Sequence, residues 1–183
     1  FRLGVAAKSF NKLNMEKFML TNFKLDNMPK IHIVDRYLET VKHLGIKNDN
    51  QGLDFFLSAN DKLDISIFPK NYIVFVIGGQ HATKILPNEK IISIIKKVNK
   101  PVLLIGGPED AHKGEEIAKA WDKVVNTCGK YSILQSASLV QQATMVITHD
   151  TGMMHIAAAF NKKIYSVWGN TVPEFGMYPY LES

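Results

Sequence analysis

The sequence predicts an α/β protein with a doubly wound parallel sheet. Five short strand-like runs of apolar residues follow one another from residue 71 onward. Four segments with helical spacing of apolar residues separate them, and this alternation is typical of parallel pairing through right-handed crossovers. The runs are apolar on both faces, which indicates strands covered by helices on each side of the sheet.

The predicted strands and helices alternate strictly in this region. Strands are expected at residues 72–77, 102–105, 124–126, 145–148 and 164–168. Helices are expected at residues 88–98, 111–121, 132–143 and 152–160. Ligands of such sheets bind beyond the carboxyl ends of the strands, near the point where the strand order reverses.

The first seventy residues follow no such alternation. Apolar residues between 13 and 25 favour one or two short helices, and Pro29 interrupts the pattern. Apolar positions at three- and four-residue steps then predict an amphipathic helix over residues 31–44, with Gly45 as its stop signal. Residues 46–70 hold Asn, Asp, Gly and Pro around a short apolar run, which is typical of a connector that leads into a new domain.

Composition places the chain among ordinary globular proteins. Of its 183 residues 46% are hydrophobic and 21% charged, and its single cysteine, Cys128, cannot form an intrachain disulfide. We expect a cytoplasmic location, because no run of eighteen apolar residues and no signal-peptide pattern occurs.

All of the net charge of +5 falls in residues 1–47. A plain solvated surface and a basic face for an anionic membrane or phosphorylated acceptor both stay open, whereas nucleic-acid binding is not expected.

The loop after the first predicted strand combines glycine with positive charge. Gly78 and Gly79 follow the strand directly, and Thr83 and Lys84 come a few residues later. Two adjacent glycines let a backbone approach a ligand closely, and the lysine supplies a charge for an anion. The alternative is a tight turn with a solvent-accessible surface lysine, because the glycine spacings of a P-loop and of a dinucleotide-binding loop are absent.

The loop after the second predicted strand pairs two glycines with two acidic residues. Gly106 and Gly107 end the strand, and Glu109 and Asp110 follow after a proline. An acidic residue at the end of a parallel strand often accepts hydrogen bonds from a ribose. Such a residue also caps the next helix in many proteins. The two roles can fall on neighbouring residues, so both interpretations stay open for both acids.

The third loop, at residues 149–155, joins a strand to a helix within a few residues. Asp150 or Thr151 can cap the helix, and Gly152 lets a ligand come close to the first free N–H groups. With the helix dipole, these groups form an anion site suited to a diphosphate. His155 lies about one turn further along on the same side, although a half-buried histidine without a ligand is the alternative. No metal is expected, because Cys128 and the histidines lack zinc-ligand spacing.

Residues 150–159 carry a resemblance to a known family. They run Asp-Thr-Gly-Met-Met-His-Ile-Ala-Ala-Ala, which resembles the Asp-Ser/Thr-Gly-x-Met-His-x-Ala-Ala-Ala signature of glycosyltransferase family 9, the lipopolysaccharide heptosyltransferases. Looser matches occur in the family's order, so that the resemblance spans most of residues 30–175. These matches are the helix at 32–37, Lys84 with Pro87, Gly106-Gly107 with Glu109-Asp110, and the turn at 168–171.

The resemblance implies a GT-B glycosyltransferase, which has two Rossmann-like domains with the active site in the cleft. The C-terminal domain binds the nucleotide-sugar donor, and the N-terminal domain binds the acceptor and supplies the aspartate proposed as general base. Transfer inverts the anomeric centre and requires no bound metal or other cofactor. By the same resemblance Asp150, Thr151 and Gly152 face the donor phosphates with His155 nearby. Because Asp150 is itself an anion, its expected role is to hold backbone N–H groups or a sugar hydroxyl. Lys84 offsets charge on the leaving diphosphate, and Glu109 or Asp110 binds the nucleoside.

On this interpretation the chain is a piece of a longer protein. It corresponds to the Rossmann-like C-terminal half of a GT-B glycosyltransferase. Residues 1–47 are the tail of the acceptor domain and an interdomain helix, 48–70 a connector, and 71–183 the donor-binding domain, truncated at its C-terminus. No residue here is expected to be the catalytic base, so the fragment alone is expected to be inactive.

The expected function is inverting transfer from a nucleotide-diphosphate sugar, such as ADP-heptose, to a lipopolysaccharide core or another glycan. The expected location is cytoplasmic, with peripheral contact at the inner face of the inner membrane. Two alternatives remain open, a non-catalytic nucleotide-binding Rossmann module and a nicotinamide-dependent oxidoreductase domain. The oxidoreductase is disfavoured because no predicted strand ends in Gly-x-Gly-x-x-Gly.

Overall fold

The computed structural model describes residues 13–79, 82–169 and 171–181. Within them the strands are Ile73–Val76 (β1), Val102–Ile105 (β2), Val124–Asn126 (β3), Val146–His149 (β4) and Ile164–Val167 (β5). The α-helices are Asn14–Phe23 (α1), Ile33–Glu39 (α2), Asn88–Val98 (α3), Ala111–Lys119 (α4), Ile133–Gln142 (α5) and Gly152–Ala159 (α6). Short 3₁₀ turns lie at Lys42–Leu44, Ala59–Asp61, Ile65–Ile67, Ala82–Lys84, Pro108–Asp110 and Pro173–Phe175.

The five strands form one parallel sheet in the order β3-β2-β1-β4-β5. In β1, Val74 is in register with Leu103 of β2 on one side and with Val146 of β4 on the other. The chain therefore builds outward from β1 to β3 and then returns to β1's other edge. The strand order reverses between β1 and β4, which puts the crevice for a ligand beyond their carboxyl ends.

Both faces of the central strand are covered, as the continuous apolar runs predict. Ile73 and Phe75 of β1 pack on one side with Ile91 of α3 and Ile117 of α4. The alternate residues of β1 pack on the other side against α5 and α6. Because successive side chains of a strand point to opposite faces, one apolar run supplies both cores. The predicted doubly wound α/β fold is confirmed.

Local signals set most element ends close to where the sequence placed them. α3 has the predicted bounds and ends where Asn99 adopts φ +50°, a left-handed conformation that asparagine tolerates. α5 begins after Ser132, whose Oγ accepts the Gln135 N–H while the Gln135 side chain accepts the Ser132 N–H. From β1 to β5 the bounds differ from the predicted ones by at most two residues.

The helix predicted over residues 31–44 is wrong in length. α2 ends at Glu39, and the Thr40 hydroxyl bonds back to the Tyr37 carbonyl at 2.7 Å. A side chain that competes for this carbonyl favours a turn over further helix, and the β-branched Val41 follows directly. The chain then makes a single 3₁₀ turn and stops at Gly45, whose φ is +80°. Gly45 is thus a stop signal, as predicted, but for a shorter element.

The segments before β1 and after β5 pack against other parts of the chain. α1 covers most of the apolar stretch at 13–25, while residues 1–12 lie outside the described part of the chain. In the segment at 46–70, the Leu63 N–H donates to Ser138 Oγ of α5 at 3.0 Å, and Phe68 packs against the α5 side of the sheet. His32 Nε2 lies 2.7 Å from the Tyr178 carbonyl oxygen, which fixes the C-terminal residues against the start of α2. None of the described helices is long and apolar enough to span a bilayer.

Candidate functional site

A cavity of about 800 Å³ opens at the carboxyl edge of the sheet. It lies between the loops that follow β1, β2 and β4, and it is closed on one side by the start of α5 and on another by the start of α6. This position is the crevice at the reversal of strand order, where ligands of doubly wound sheets bind. Nine residues predicted from sequence line it: Gly78, Gly79, Lys84, Glu109, Asp110, Asp150, Thr151, Gly152 and His155. The tenth, Thr83, is exposed and does not line the cavity.

The N-terminus of α6 faces this cavity without a side-chain cap. Thr151 occupies the N-cap position with extended backbone and makes no side-chain capping hydrogen bond. Gly152 is exposed, and a Cβ placed there would meet no atom within 4 Å. The prediction that Thr151 or Asp150 caps the helix is therefore wrong, because Asp150 turns away to bond other side chains. The dipole and the first N–H groups of the helix consequently face the cavity.

Asp150 binds two side chains from distant loops. Its Oδ2 lies 2.6 Å from Lys84 Nζ and accepts a hydrogen bond from the Thr171 hydroxyl at 2.9 Å. The Lys84 side chain is 19% exposed and that of Asp150 is 8% exposed. The alternative of a solvent-accessible surface lysine is therefore wrong. Gly169 permits this closure, because a Cβ there would lie 2.3 Å from the Thr83 carbonyl oxygen.

The two acidic residues after β2 differ in burial, and neither caps α4 with its side chain. Asp110 is buried, and its Oδ2 accepts the Gly107 N–H at 2.9 Å. A Cβ on Gly78 would lie 2.3 Å from that same oxygen, and one on Gly106 would lie 2.7 Å from it. These two glycines make room for the Asp110 carboxylate, which shapes the loop. Glu109 is exposed at the rim of the cavity, where its carboxylate can reach a ligand.

His149 and Lys113 are two site-forming residues that sequence analysis did not single out. His149 ends β4, is fully buried, and its Nε2 accepts the Leu86 N–H at 3.1 Å. Lys113 of α4 donates to the Leu86 carbonyl at 3.2 Å. Burial, and secondarily the charge of Lys113, lowers the pKa of His149 to about 4, so the imidazole is neutral at neutral pH. No local pattern marks either residue, because both contacts are made to a loop distant in sequence.

His155 lies one turn into α6, on the wall of the cavity. It is partly buried, and this burial lowers its pKa while the nearby Asp150 opposes the shift. The imidazole is consequently neutral at neutral pH and can donate one hydrogen bond and accept another. This chemistry suits contact with a sugar hydroxyl or phosphate oxygen without adding a charge.

The loop after β3 and the start of α5 supply a wall of the cavity that the sequence analysis missed. Tyr131, Ile133 and Ser136 line the cavity next to Met153. The available signal was Gly129, which has φ +71° and whose Cβ would lie 2.8 Å from Pro108 Cα. A glycine three residues after a strand is typical of a loop that makes a tight turn or a close backbone approach.

The architecture defines a Rossmann-like α/β domain with its cleft at the carboxyl edge of the sheet. The uncapped N-terminus of α6 forms part of the wall of this cleft. Across the described residues, no group of three His, Cys, Asp or Glu side chains is arranged to hold a metal ion. The chain belongs to glycosyltransferase family 9 (heptosyltransferase), whose sequence model matches residues 6–183. The resemblance based on residues 150–159 is confirmed.

Curated relatives match a shorter stretch. Lipooligosaccharide heptosyltransferase 2 of Haemophilus influenzae is 37% identical over 79 residues, which cover 40% of this chain and 23% of that protein. Lipopolysaccharide heptosyltransferase 2 of Escherichia coli is 31% identical over 81 residues, again 40% of this chain and 23% of the relative.

Solved structures share the fold over most of the chain. A family 9 glycosyltransferase from Veillonella parvula superposes with a TM-score of 0.70 at 21% identity, covering 83% of this chain and 48% of the other. The E. coli ADP-heptose lipopolysaccharide heptosyltransferase II gives a TM-score of 0.67 at 22% identity, with 81% and 51% covered. An E. coli heptosyltransferase solved with ADP gives 0.64 at 21% identity, with 82% and 48% covered. The chain thus spans about half the length of these structures.

Proposed function

We propose that this chain is the donor-binding half of a glycosyltransferase that transfers a sugar, with inversion, from an ADP-heptose-like donor to a lipopolysaccharide core acceptor. The observation that carries the proposal is the uncapped N-terminus of α6 at the reversal of strand order in a family 9 chain. Two structures of one E. coli heptosyltransferase support the choice of nucleotide, since one was solved with ADP and the other with ADP-2-deoxy-2-fluoro heptose. In domain terms, residues 71–183 bind the donor, 48–70 connect, and 1–47 belong to the acceptor side.

The diphosphate is proposed to lie at the start of α6. Gly152 admits an oxygen to the first N–H groups, where several charge-assisted hydrogen bonds and the helix dipole act together. The nucleoside then extends toward the loop after β2, where Glu109 is placed to accept hydrogen bonds from ribose hydroxyls. Asp110 is not proposed as a ligand, because its carboxylate is buried and bonded to Gly107.

Lys84 is proposed to stabilise the leaving diphosphate from its pair with Asp150. A lysine ammonium has three N–H donors, and Asp150 takes one of them. The carboxylate therefore holds the ammonium at the edge of the phosphate subsite instead of competing for the helix N–H groups. Charge that develops on the leaving group meets a donor that is already in place, which lowers the cost of reorganisation.

The acceptor side of the reaction is assigned to the rest of the protein. We assign no residue of this chain as general base, because the aspartate proposed for that role in the family belongs to its N-terminal domain. The excess of basic residues in 1–47 is proposed to favour peripheral contact with an anionic membrane surface on the cytoplasmic side.

A nucleotide panel tests the donor site by thermal unfolding. ADP is expected to give the largest upward shift among ADP, UDP, GDP, CMP and NAD, because a ligand of the native state stabilises it, by about 1.4 kcal/mol at ten times Kd. NAD is expected to give none. A larger shift with NAD than with any nucleoside diphosphate would support the oxidoreductase alternative and overturn the proposal.

A transfer assay tests the reaction itself. The full-length protein is expected to transfer heptose from ADP-heptose to a lipid A-core acceptor, whereas residues 1–183 alone are expected to bind nucleotide without turnover. ADP binding by the full-length protein without transfer to any glycan acceptor would favour a non-catalytic binding module. Turnover by residues 1–183 alone would contradict the assignment of the base to the other domain.

A further inference from the structure

Two hydrogen bonds tie the loop after β1 to the end of β4. Lys84 Nζ bonds Asp150 Oδ2 at 2.6 Å, and two residues along the loop the Leu86 N–H bonds His149 Nε2 at 3.1 Å. Adjacent residues of one strand end thus hold both ends of a three-residue segment. Both bonds are partly buried, and the second joins a fully buried side chain, that of His149, to the backbone of the half-buried Leu86.

Leu86 is held from the opposite side as well. Lys113 of α4 donates to the Leu86 carbonyl at 3.2 Å and lies 3.5 Å from the Ile77 carbonyl at the end of β1. We name the three residues His149, Leu86 and Lys113 the Leu86 clamp. Both polar backbone groups of Leu86 are therefore engaged by side chains from two different elements. The segment that carries Lys84 is fixed to the sheet independently of the Lys84 ion pair.

The clamp specifies one protonation form of His149. Nε2 must be unprotonated to accept the Leu86 N–H, so a neutral ring carries its proton on Nδ1. The backbone of Val76 and Gly78 lies next to the ring, and within the described residues no well-aligned hydrogen bond reaches Nδ1. Lys113 is the charged group that acts on the ring, and a second positive charge there would repel it. Burial and this charge both favour the neutral ring.

We propose that His149 is a positioning residue of the donor site, which acts as the neutral Nδ1-protonated tautomer to hold Leu86 and thereby place Lys84 at the phosphate subsite. The proposal rests on the proposed function, because it takes Lys84 to act on the diphosphate. His149 itself does not line the cavity. The proposal takes the effect of His149 on ligand binding to pass through Leu86 and Lys84.

Two substitutions at His149 distinguish the effect of its hydrogen-bond acceptor from the effect of its side-chain volume. His149→Gln keeps an oxygen near the place of Nε2, whereas His149→Leu fills much of the same space without an acceptor. In the full-length protein, His149→Leu is expected to weaken ADP binding about tenfold and His149→Gln less than about threefold. If both variants weakened ADP binding equally, the hydrogen-bond acceptor at position 149 would have no role and the proposal would be overturned.

A double-mutant cycle tests whether His149 acts through Lys84. In a Lys84→Met background, the loss caused by His149→Leu is expected to shrink to less than about twofold, because coupled residues do not add. An undiminished loss would show a general structural effect and overturn the proposal. Lys113→Met is a second variant for the same cycle and covers the case in which His149→Leu does not fold. It is expected to weaken ADP binding in the wild-type background but not in the Lys84→Met background.

Two measurements without nucleotide keep this proposal distinct from the proposed function. Nitrogen-15 NMR of the imidazole is expected to show Nδ1 protonated and Nε2 unprotonated at pH 7. Hydrogen exchange of the Leu86 amide is expected to accelerate at least about tenfold in His149→Leu and little in His149→Gln. A ring protonated at Nε2 would overturn the clamp even if ADP binds. Failure of every nucleoside diphosphate to bind would instead overturn the donor site and, with it, the role of Lys84 on which the proposal rests.

Discussion

The ammonium of Lys84 lies 2.6 Å from Oδ2 of Asp150, and these side chains are 19% and 8% exposed. The pair bridges the loops that follow β1 and β4, across the reversal of strand order. Thr171, beyond β5, bonds the same oxygen at 2.9 Å. Three loops that are distant in sequence therefore meet at a single carboxylate. The contribution of these contacts to the free energy of unfolding and their contribution to ADP binding can be measured separately.

Lys84→Met is expected to lower the free energy of unfolding by about 2 kcal/mol, because the largely buried Asp150 carboxylate loses its counter-charge. The double variant Lys84→Met/Asp150→Asn is expected to recover about half of that loss, since no buried charge is left unpaired. Urea unfolding of both variants measures this. The exposed Lys42–Glu39 pair is the control, and Lys42→Met should cost less than about 0.5 kcal/mol. A Lys84→Met loss as small as this control would show that the pair contributes little.

Gly152→Val is expected to weaken ADP binding about a hundredfold and Gly152→Ala about tenfold, because a side chain there occupies the approach to several charge-assisted hydrogen bonds. Stability should change by less than about 0.5 kcal/mol in both, since the φ of Gly152 is not positive and its Cβ would meet open space. Calorimetric titration with ADP measures the affinity.

Gly106→Ala is the contrasting control for Gly152. Its Cβ would lie 2.7 Å from both Cβ and Oδ2 of Asp110, so this variant should lose stability as well as affinity. Unchanged ADP affinity in a folded Gly152→Val protein would show that the diphosphate does not lie at the start of α6.

Glu109→Gln is expected to weaken ADP binding about tenfold without loss of stability, because an exposed carboxylate that accepts from ribose hydroxyls is replaced by a weaker acceptor. The wild type and Glu109→Gln should bind 2′,3′-dideoxy-ADP equally, because this analogue lacks the ribose hydroxyls. Glu115→Gln, an exposed neighbour on α4, is the matched control and should bind ADP as the wild type does.

Asp110→Asn is expected to lower the free energy of unfolding by about 1–2 kcal/mol, because the Gly107 N–H loses a charged, buried acceptor. Chemical denaturation measures this loss. A discrimination between ADP and its dideoxy analogue that disappears in Asp110→Asn but persists in Glu109→Gln would reverse the two assigned roles.

Acid is expected to destabilise the fold through His149. The pKa of this group is lowered to about 4 from 6.5 by burial, with Lys113 adding to the shift. The unfolded chain therefore binds a proton first as the pH falls, so stability is complete above about pH 6.5 and is lost between there and pH 4. At pH 5 the loss from this group is about 2 kcal/mol.

The pH dependence is checked by urea unfolding between pH 7.5 and pH 5. Between these limits the free energy of unfolding should fall by about 2 kcal/mol more in the wild type than in His149→Gln, which has no imidazole at this position. His32 and His155 also have lowered pKa values, but they are common to both proteins and cancel in the difference. Parallel pH profiles of the two proteins would show that His149 is not the group responsible.

Sequence patterns predicted the elements of this domain and much of its cleft. The strand runs and α3 were predictable because apolar periodicity and caps act over a few residues, as at Ser132 and Asn99. Nine of the ten residues predicted for the donor site line the cavity, since the carboxyl ends of parallel strands meet at one edge. The exception, Thr83, directs only its backbone toward Gly169. The overlong helix at 31–44 arose because the apolar spacing continues past the turn at Thr40.

By itself the sequence determined the order of strands and helices and the loops that carry glycine and charge, because both follow from short-range patterns along the chain. Only the tertiary structure decided which of these charges are paired. Lys84 meets Asp150 across 66 residues, and His149 holds Leu86 across 63. Both contacts exist because β4 pairs with β1, and this pairing depends on the packing of the whole sheet. The same packing buries Asp110 beneath two glycines and leaves the N-terminus of α6 facing the cavity.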